Sequence, residues 1–449
     1  MAKDLTRGSV FRNIIFFSLP YLLSYFLQTL YGMADLFISG QFNGAEVISA
    51  VAIGSQVMHM LTVMIVGLAM GTTVTISRAV GAKDKAQVQA ATGNTAILFL
   101  AVSAALTAVL LLFCPLIVSA MSTPAESVEY TKQYLTICFI GIPFITAYNI
   151  IASIFRGMGD SKTPMVFIAV CCFLNIALDY LFIGCLDMKA SGAALGTVLS
   201  QAASVIISIF AIKKTRLVSL SRRDFKIQRK VMGGILRIGV PVACQDGFIQ
   251  ISFILITVIA NSRGVEISAA VGIVEKVISF LFLVPSTMLS TISAVAAQNL
   301  GANEPERAKK TLFIGTAVAM SFGAFFALAM QFASGAFVSL FTNDQEVVRF
   351  GSQYLKSYVF DCLFAGFQFS FSGYFCALGK SIISFIHNVI AIILVRVPGT
   401  YFASKLWPQT LYPMGWAAPL GSLLSSIICI AFFVALEKHE KAGHALPKS

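Results

Sequence analysis

The stretch MVFIAVCCFLNIALDYLFIG, residues 165–184, decides the fold. It carries no Lys or Arg, and at about 1.5 Å of rise per residue it crosses the roughly 30 Å hydrocarbon core of a bilayer as one helix. Within it stand an amide, Asn175, and a carboxylic acid, Asp179, at i and i+4 and so on one helix face. Such a pair is either a hydrogen-bond clamp between helices or a site for something that moves through the membrane.

The same apolar pattern extends along the whole chain. Of 449 residues 57% are hydrophobic and 12% charged, and the mean hydropathy of +0.84 excludes a soluble protein. Runs long enough to span recur at 14–38, 46–72, 90–118, 130–155, 163–184, 191–212, 233–261, 266–295, 310–340, 350–377, 381–404 and 413–436. The sequence therefore predicts an all-α integral membrane protein with twelve transmembrane helices. The basic stretch MAKDLTRGSVFRN at 1–13 precedes a run too long for a signal peptide, so the first run is read as a retained span. Nine cysteines without paired spacing read as reduced packing residues.

The formal charge of +12 raises the question of a nucleic-acid partner, which the placement of the basic residues answers. With the amino terminus in the cytoplasm, 24 of the 32 Lys and Arg fall on that side, six outside and two within spans. The charge is an orientation signal and not a nucleic-acid footprint. It predicts a multi-pass protein of the cytoplasmic (inner) membrane with both termini in the cytoplasm.

The chain is also written twice. At a shift of 220 residues, GAEVISAVAI (44–53) meets GVEISAAVGI (264–273), VGA (80–82) meets LGA (300–302), and QYL (133–135) meets QYL (353–355). Pro20 pairs with Pro241 after a one-residue slip, and ALG (194–196) with PLG (419–421) after a short insertion. Each half has six spans, an even number, so both begin on the same side. This predicts two parallel six-helix lobes with a pseudo-twofold axis along the membrane normal and a cavity between them, suited to rocking between inward-open and outward-open states. The expected division is an N-lobe at 1–212, a basic cytoplasmic linker at 213–232, a C-lobe at 233–437 and a cytoplasmic tail at 438–449.

A charge deep in a span is costly, so each is a functional candidate. Away from the span ends, the N-terminal half has two acids, Asp35 and Asp179, and no base. Counted from the start of their spans, Asp35 (about 21 residues), Asp179 (about 16) and Thr197 (about six, from the outer side) all fall in the outer half of the bilayer. Two carboxylates, the Asn175 carboxamide and a hydroxyl form an all-oxygen set that suits a hard cation or a proton. The repeat serves as a control. Asp35, Asn175 and Asp179 align with Leu255, Val395 and Gly399, so the second half assembles without these polar groups. The second half has its own charges, Asp246, Glu275, Lys276, Asp361 and Arg396. They read either as ion pairs or, for Glu275 and Asp361, as substrate contacts. Tyr31, Met33, Met64, Tyr148 and Phe280 are candidates for an aromatic and thioether wall against flat cations, although most such residues simply pack or face lipid. Motifs for ATP hydrolysis, metalloprotease or serine-hydrolase chemistry are absent, which predicts no enzyme, no cofactor, and an ion gradient as the energy source.

Five stretches carry a family resemblance: SLPYLLSYFLQTLYGMADLFISG (18–40), SRAVGAKDKAQVQ (77–89), FRGMGDSKTP (155–164), LNIALDYLFIG (174–184) and SGAALGTVLSQ (191–201). In order and spacing they resemble the multidrug and toxic compound extrusion (MATE) family over nearly the whole chain. The resemblance implies an antiporter exporting organic, often cationic, compounds against H⁺ or Na⁺. It further implies a cation-coupling site at Asp35, Asn175, Asp179, Ala193 and Thr197, with Na⁺ a candidate at the four polar residues, and a hinge at Pro20. A second branch of the family uses carboxylates of spans 7 and 10, here Asp246 and Asp361, with poorer local matches. Lipid-linked sugar flippases and polysaccharide exporters of the same superfamily would want Arg or Lys in the N-lobe cavity, which this chain lacks. The expected partners are small organic cations and the lipid bilayer, with the protein a monomer.

Overall fold

The computed structural model describes residues 3–215, 221 and 223–444; five residues of the expected linker (216–220), Arg222 and the last five of the expected tail lie outside them. The long apolar runs form α1 (Val10–Phe42), α2 (Ala45–Gly81), α3 (Lys85–Ala120), α4 (Val128–Ile140), α5 (Ile142–Gly157), α6 (Lys162–Asp179), α7 (Lys189–Thr215), α8 (Arg229–Asn261) and α9 (Val265–Leu281). They continue as α10 (Leu283–Gly301), α11 (Pro305–Ser339), α12 (Gln345–Tyr358), α13 (Phe360–Ala377), α14 (Ser381–Ala391), α15 (Val397–Leu406), α16 (Tyr412–Gly415) and α17 (Ala417–His444). No strand occurs among the described residues.

All twelve expected spans fall on helix, but several are broken. The fourth is α4 and α5, bent by 48° at Gly141, and the tenth is α12 and α13. Short π-helical turns interrupt the fifth span at Tyr180–Cys185 and the eleventh at Ile392–Arg396. By length and composition alone, ten of the described helices are long and apolar enough to cross a membrane, or eleven with the bent pair. The tenth span falls outside that count; its α12 is amphipathic, with Glu346, Arg349 and Lys356 among its residues.

Local chemistry sets the turns. Asp84 caps α3 by accepting from the Gln87 amide, and Asp160 caps α6 by accepting from the Lys162 and Thr163 amides. The duplication survives at this level: Lys83 and Asn303 share a left-handed backbone (φ 57° and 60°), as do Gly159 and Gly379 (φ 83° and 74°).

The chain forms two compact units: Met1–Ala243 with Ala297–Glu304, and Cys244–Ala296 with Pro305–Ser449. The division thus falls later than the expected linker and exchanges a short piece of α10. The reason lies in helix packing at the basic end of the first unit. A Cβ at Gly81 would strike the Gln298 carbonyl, and one at Gly301 would strike the Arg78 carbonyl, so α2 and α10 touch main chain to main chain. Both partners in this reciprocal contact are separated by the repeat interval of 220. Gly71 of α2 likewise meets the Ile235 carbonyl of α8.

The segment before α1 straps across the same end. Lys3 donates its amide to the Met158 carbonyl (2.9 Å), the Leu5 amide donates to Gln298 Oε1, and Gln298 Nε2 donates back to the Lys3 carbonyl (3.2 Å). Asn13 Nδ2 holds the Leu5 and Arg7 carbonyls, and the Leu5 side chain is 1% exposed.

Candidate cation site in the first unit

Three helices bring the predicted residues together. Asp35 stands seven residues before the end of α1, Asn175 and Asp179 close α6, and Thr197 lies on the third turn of α7. Asp35 is 2% exposed, and Asn175, Asp179 and Ala193 are fully buried. Thr197 Oγ1 donates to Asp35 Oδ2 at 3.1 Å. The Asp179 carboxyl and the Asn175 amide face the Asp35 carboxyl, close enough to interact with it directly. Even so, Asp35 Oδ1, both Asp179 oxygens and both polar atoms of the Asn175 amide have no hydrogen-bond partner.

That is the unusual feature of the site. Buried polar groups are nearly always paired, and leaving one unmade costs about 1–3 kcal/mol. Here five such atoms converge. Asn175 and the two acids offer oxygens of the kind that hold a hard cation, and a shared proton would equally relieve the two interacting carboxyls. The donor set fits a small cation or a proton.

Three further features were not foreseen. Gly196 on α7 stands against Asp179, where a Cβ would overlap Oδ1, so glycine makes the room in which the carboxyl sits. The π turn at Tyr180–Cys185 begins at the residue after Asp179, and such turns displace side chains from helical register. Ser39, one helical turn after Asp35, is also buried with an unpartnered hydroxyl. The i, i+4 spacing from Asp35 was the signal available for it.

The wall candidates scatter. Tyr31 sits one turn before Asp35 and is partly buried, whereas Met33, about 200° round the helix from Asp35, is 49% exposed. Tyr148 is a core residue whose hydroxyl donates to the Pro164 carbonyl at 3.4 Å. Met64 and Phe280 are partly buried. Pro20 lies inside α1, which runs on without a break. In the second unit, buried Arg396 and Asp361 form an ion pair with half-buried Glu275 within electrostatic reach, and Lys276 is exposed.

The family profile MatE matches residues 20–181 and again 241–402. The chain belongs to the MatE family. Its similar proteins include the "Probable multidrug resistance protein YpnP" of Bacillus subtilis (strain 168), 29% identical over 96% of both chains. The "Multidrug export protein MepA" of Staphylococcus aureus (strain NCTC 8325 / PS 47) is 27% identical over 83% of both. Among solved structures, one described as MATE in the bent conformation superposes with a TM-score of 0.91 over 98% of both chains at 22% identity, a likeness of fold. This MatE chain is thus a multi-pass helical membrane protein of two six-span halves.

Proposed function

We propose that this MatE protein is a secondary active multidrug exporter that expels organic, mainly cationic, compounds in exchange for H⁺ or Na⁺ taken up at Asp35, Asn175, Asp179 and Thr197. The observation that carries the reading is the buried pair of carboxyls and the amide beside them, with five unpartnered polar atoms. Export as the activity is supported by the multidrug relatives. The protein resides in the inner membrane with both termini in the cytoplasm.

An ion arriving from outside neutralises the carboxyl pair and removes the electrostatic cost of drawing α1, α6 and α7 together. The helix hydrogen bond missing at Pro20 lets α1 bend in response. An ion drives motion only through its different affinity for the two arrangements. A coupling of about 3 kcal/mol between ion and drug changes drug affinity more than a hundredfold. A flippase of lipid-linked sugar pyrophosphate is the other reading within the superfamily, and it would need a cationic pocket where this one is acidic.

The test is dye efflux from proteoliposomes under an imposed pH gradient and, separately, an imposed Na⁺ gradient. One of the two drives efflux if the reading holds. Efflux under neither, with the protein correctly inserted, contradicts it.

A further inference from the structure

The second unit carries a comparable set of glycine, hydroxyl and carboxylate with a different charge in it, although its carboxylate comes from α13 and not from the repeat counterpart of α1. Gly421 on α17 lies against Arg396, where a Cβ would stand 3.4 Å from Arg396 Cβ. The next residue, Ser422, donates to Asp361 Oδ1, just as Thr197, after Gly196, donates to Asp35. In both units a glycine faces the charged residue at the π turn of its partner span, and the hydroxyl that follows caps a carboxylate from another helix. The sign differs: Asp179 occupies that place in the first unit and Arg396 in the second.

Arg396 is 7% exposed. Its Nη2 donates to the Tyr358 hydroxyl at 2.8 Å and stands 4.0 Å from Asp361 Oδ2, and its guanidinium lies over the Phe253 ring at 4.7 Å. Glu275 on α9 is within electrostatic reach, with Oε2 accepting from Thr257 at 3.2 Å and Oε1 unpartnered. The charged and titratable groups facing Arg396 are Asp361, Glu275, Tyr354 and Tyr358. Lys276 also reaches Glu275 but is itself exposed.

We propose that Arg396 is a built-in cation. It fills in the second unit the role that a mobile ion fills at Asp35 and Asp179, and so confines ion binding to the first unit; this rests on the proposed coupling site there. A guanidinium keeps its charge at any accessible pH, so Asp361 has a permanent counter-ion and no need to recruit one. Removing it leaves a buried, uncompensated acid, a costly state that a proton or Na⁺ would relieve.

The test compares R396M with R396K in the full-length purified protein, counting bound protons by titration and bound Na⁺ with radioactive sodium. R396M is expected to bind one more cation per chain than wild type, and R396K the same number as wild type. The same difference is expected in a D35N/D179N background, so the count for the second unit stands whether or not the first unit couples efflux. If R396M unfolds at neutral pH, its melting temperature should rise with added Na⁺ or acid, and that of R396K should not. An R396M that binds no additional cation, or an unstable one indifferent to Na⁺ and acid, overturns the proposal.

Discussion

The first unit contains two regions of opposite character. At its basic end, α2, α8 and α10 meet main chain to main chain across Gly71, Gly81 and Gly301, with no room for a methyl group. In the candidate cation site buried polar side chains meet between the helices, and five of their atoms lack partners. The seam obeys the repeat, since Gly81 and Gly301 play interchangeable parts. The site breaks it, because Asp35 and Asp179 have no acidic counterparts in the second half. Symmetry persists where only packing is asked of the helices and is lost where charge chemistry is needed.

Substitutions can break that contrast or sharpen it. The largest effect is expected from D35N and D179N, each of which removes a carboxylate of the proposed ion site. Gradient-driven dye efflux should fall to the level of empty liposomes while detergent-solubilised protein still elutes as a single folded species; near-normal efflux in either variant would sink the proposed site. Next come G81A and G301A. Their new methyl groups meet rigid carbonyls, so overpacking of about 1–3 kcal/mol is expected, read as a lowered melting temperature with ion binding to the solubilised protein unchanged.

G196A is expected to do the reverse. Its methyl group meets a carboxyl that can swing away, so stability should change little, whereas ion affinity measured by titration falls several-fold as Asp179 is displaced. A G196A protein with wild-type affinity would remove Gly196 from the site. The smallest effect lies in the strap. The Thr6 hydroxyl, foremost, holds the Asp4 carboxyl below its ordinary value. That contribution is present at neutral pH and is lost only as the pH falls through the lowered value, below the usual range near about 4. Hydrogen exchange at the Leu5 amide should therefore be flat at neutral pH, after correction for intrinsic exchange, and rise only in acid.

Much of this was legible in the sequence, for identifiable reasons. Hydropathy located every span, and the scarcity of charge made Asp35 and Asp179 conspicuous, with Asn175 placed beside them by helical spacing. The breaks were harder. The run at 266–295 reads as one helix yet divides at Phe282, shortly before Pro285, and the π turns after Asp179 and at Arg396 carry no pattern of their own. Gly196 was invisible because a glycine's role depends on what a side chain there would strike. The partner of Arg396 stayed open between Glu275 and Asp361 because distances across a bundle are not encoded in spacing along one helix.

The strap has a consequence for how the molecule is made. The Leu5 amide finds its acceptor 293 residues downstream, at Gln298. During synthesis, at about 5–20 residues per second, this segment waits for 293 further residues before its partner exists. The first unit is therefore finished by a piece of the second half, and its closure is a late, long-range event in assembly, the kind of contact that slows folding most.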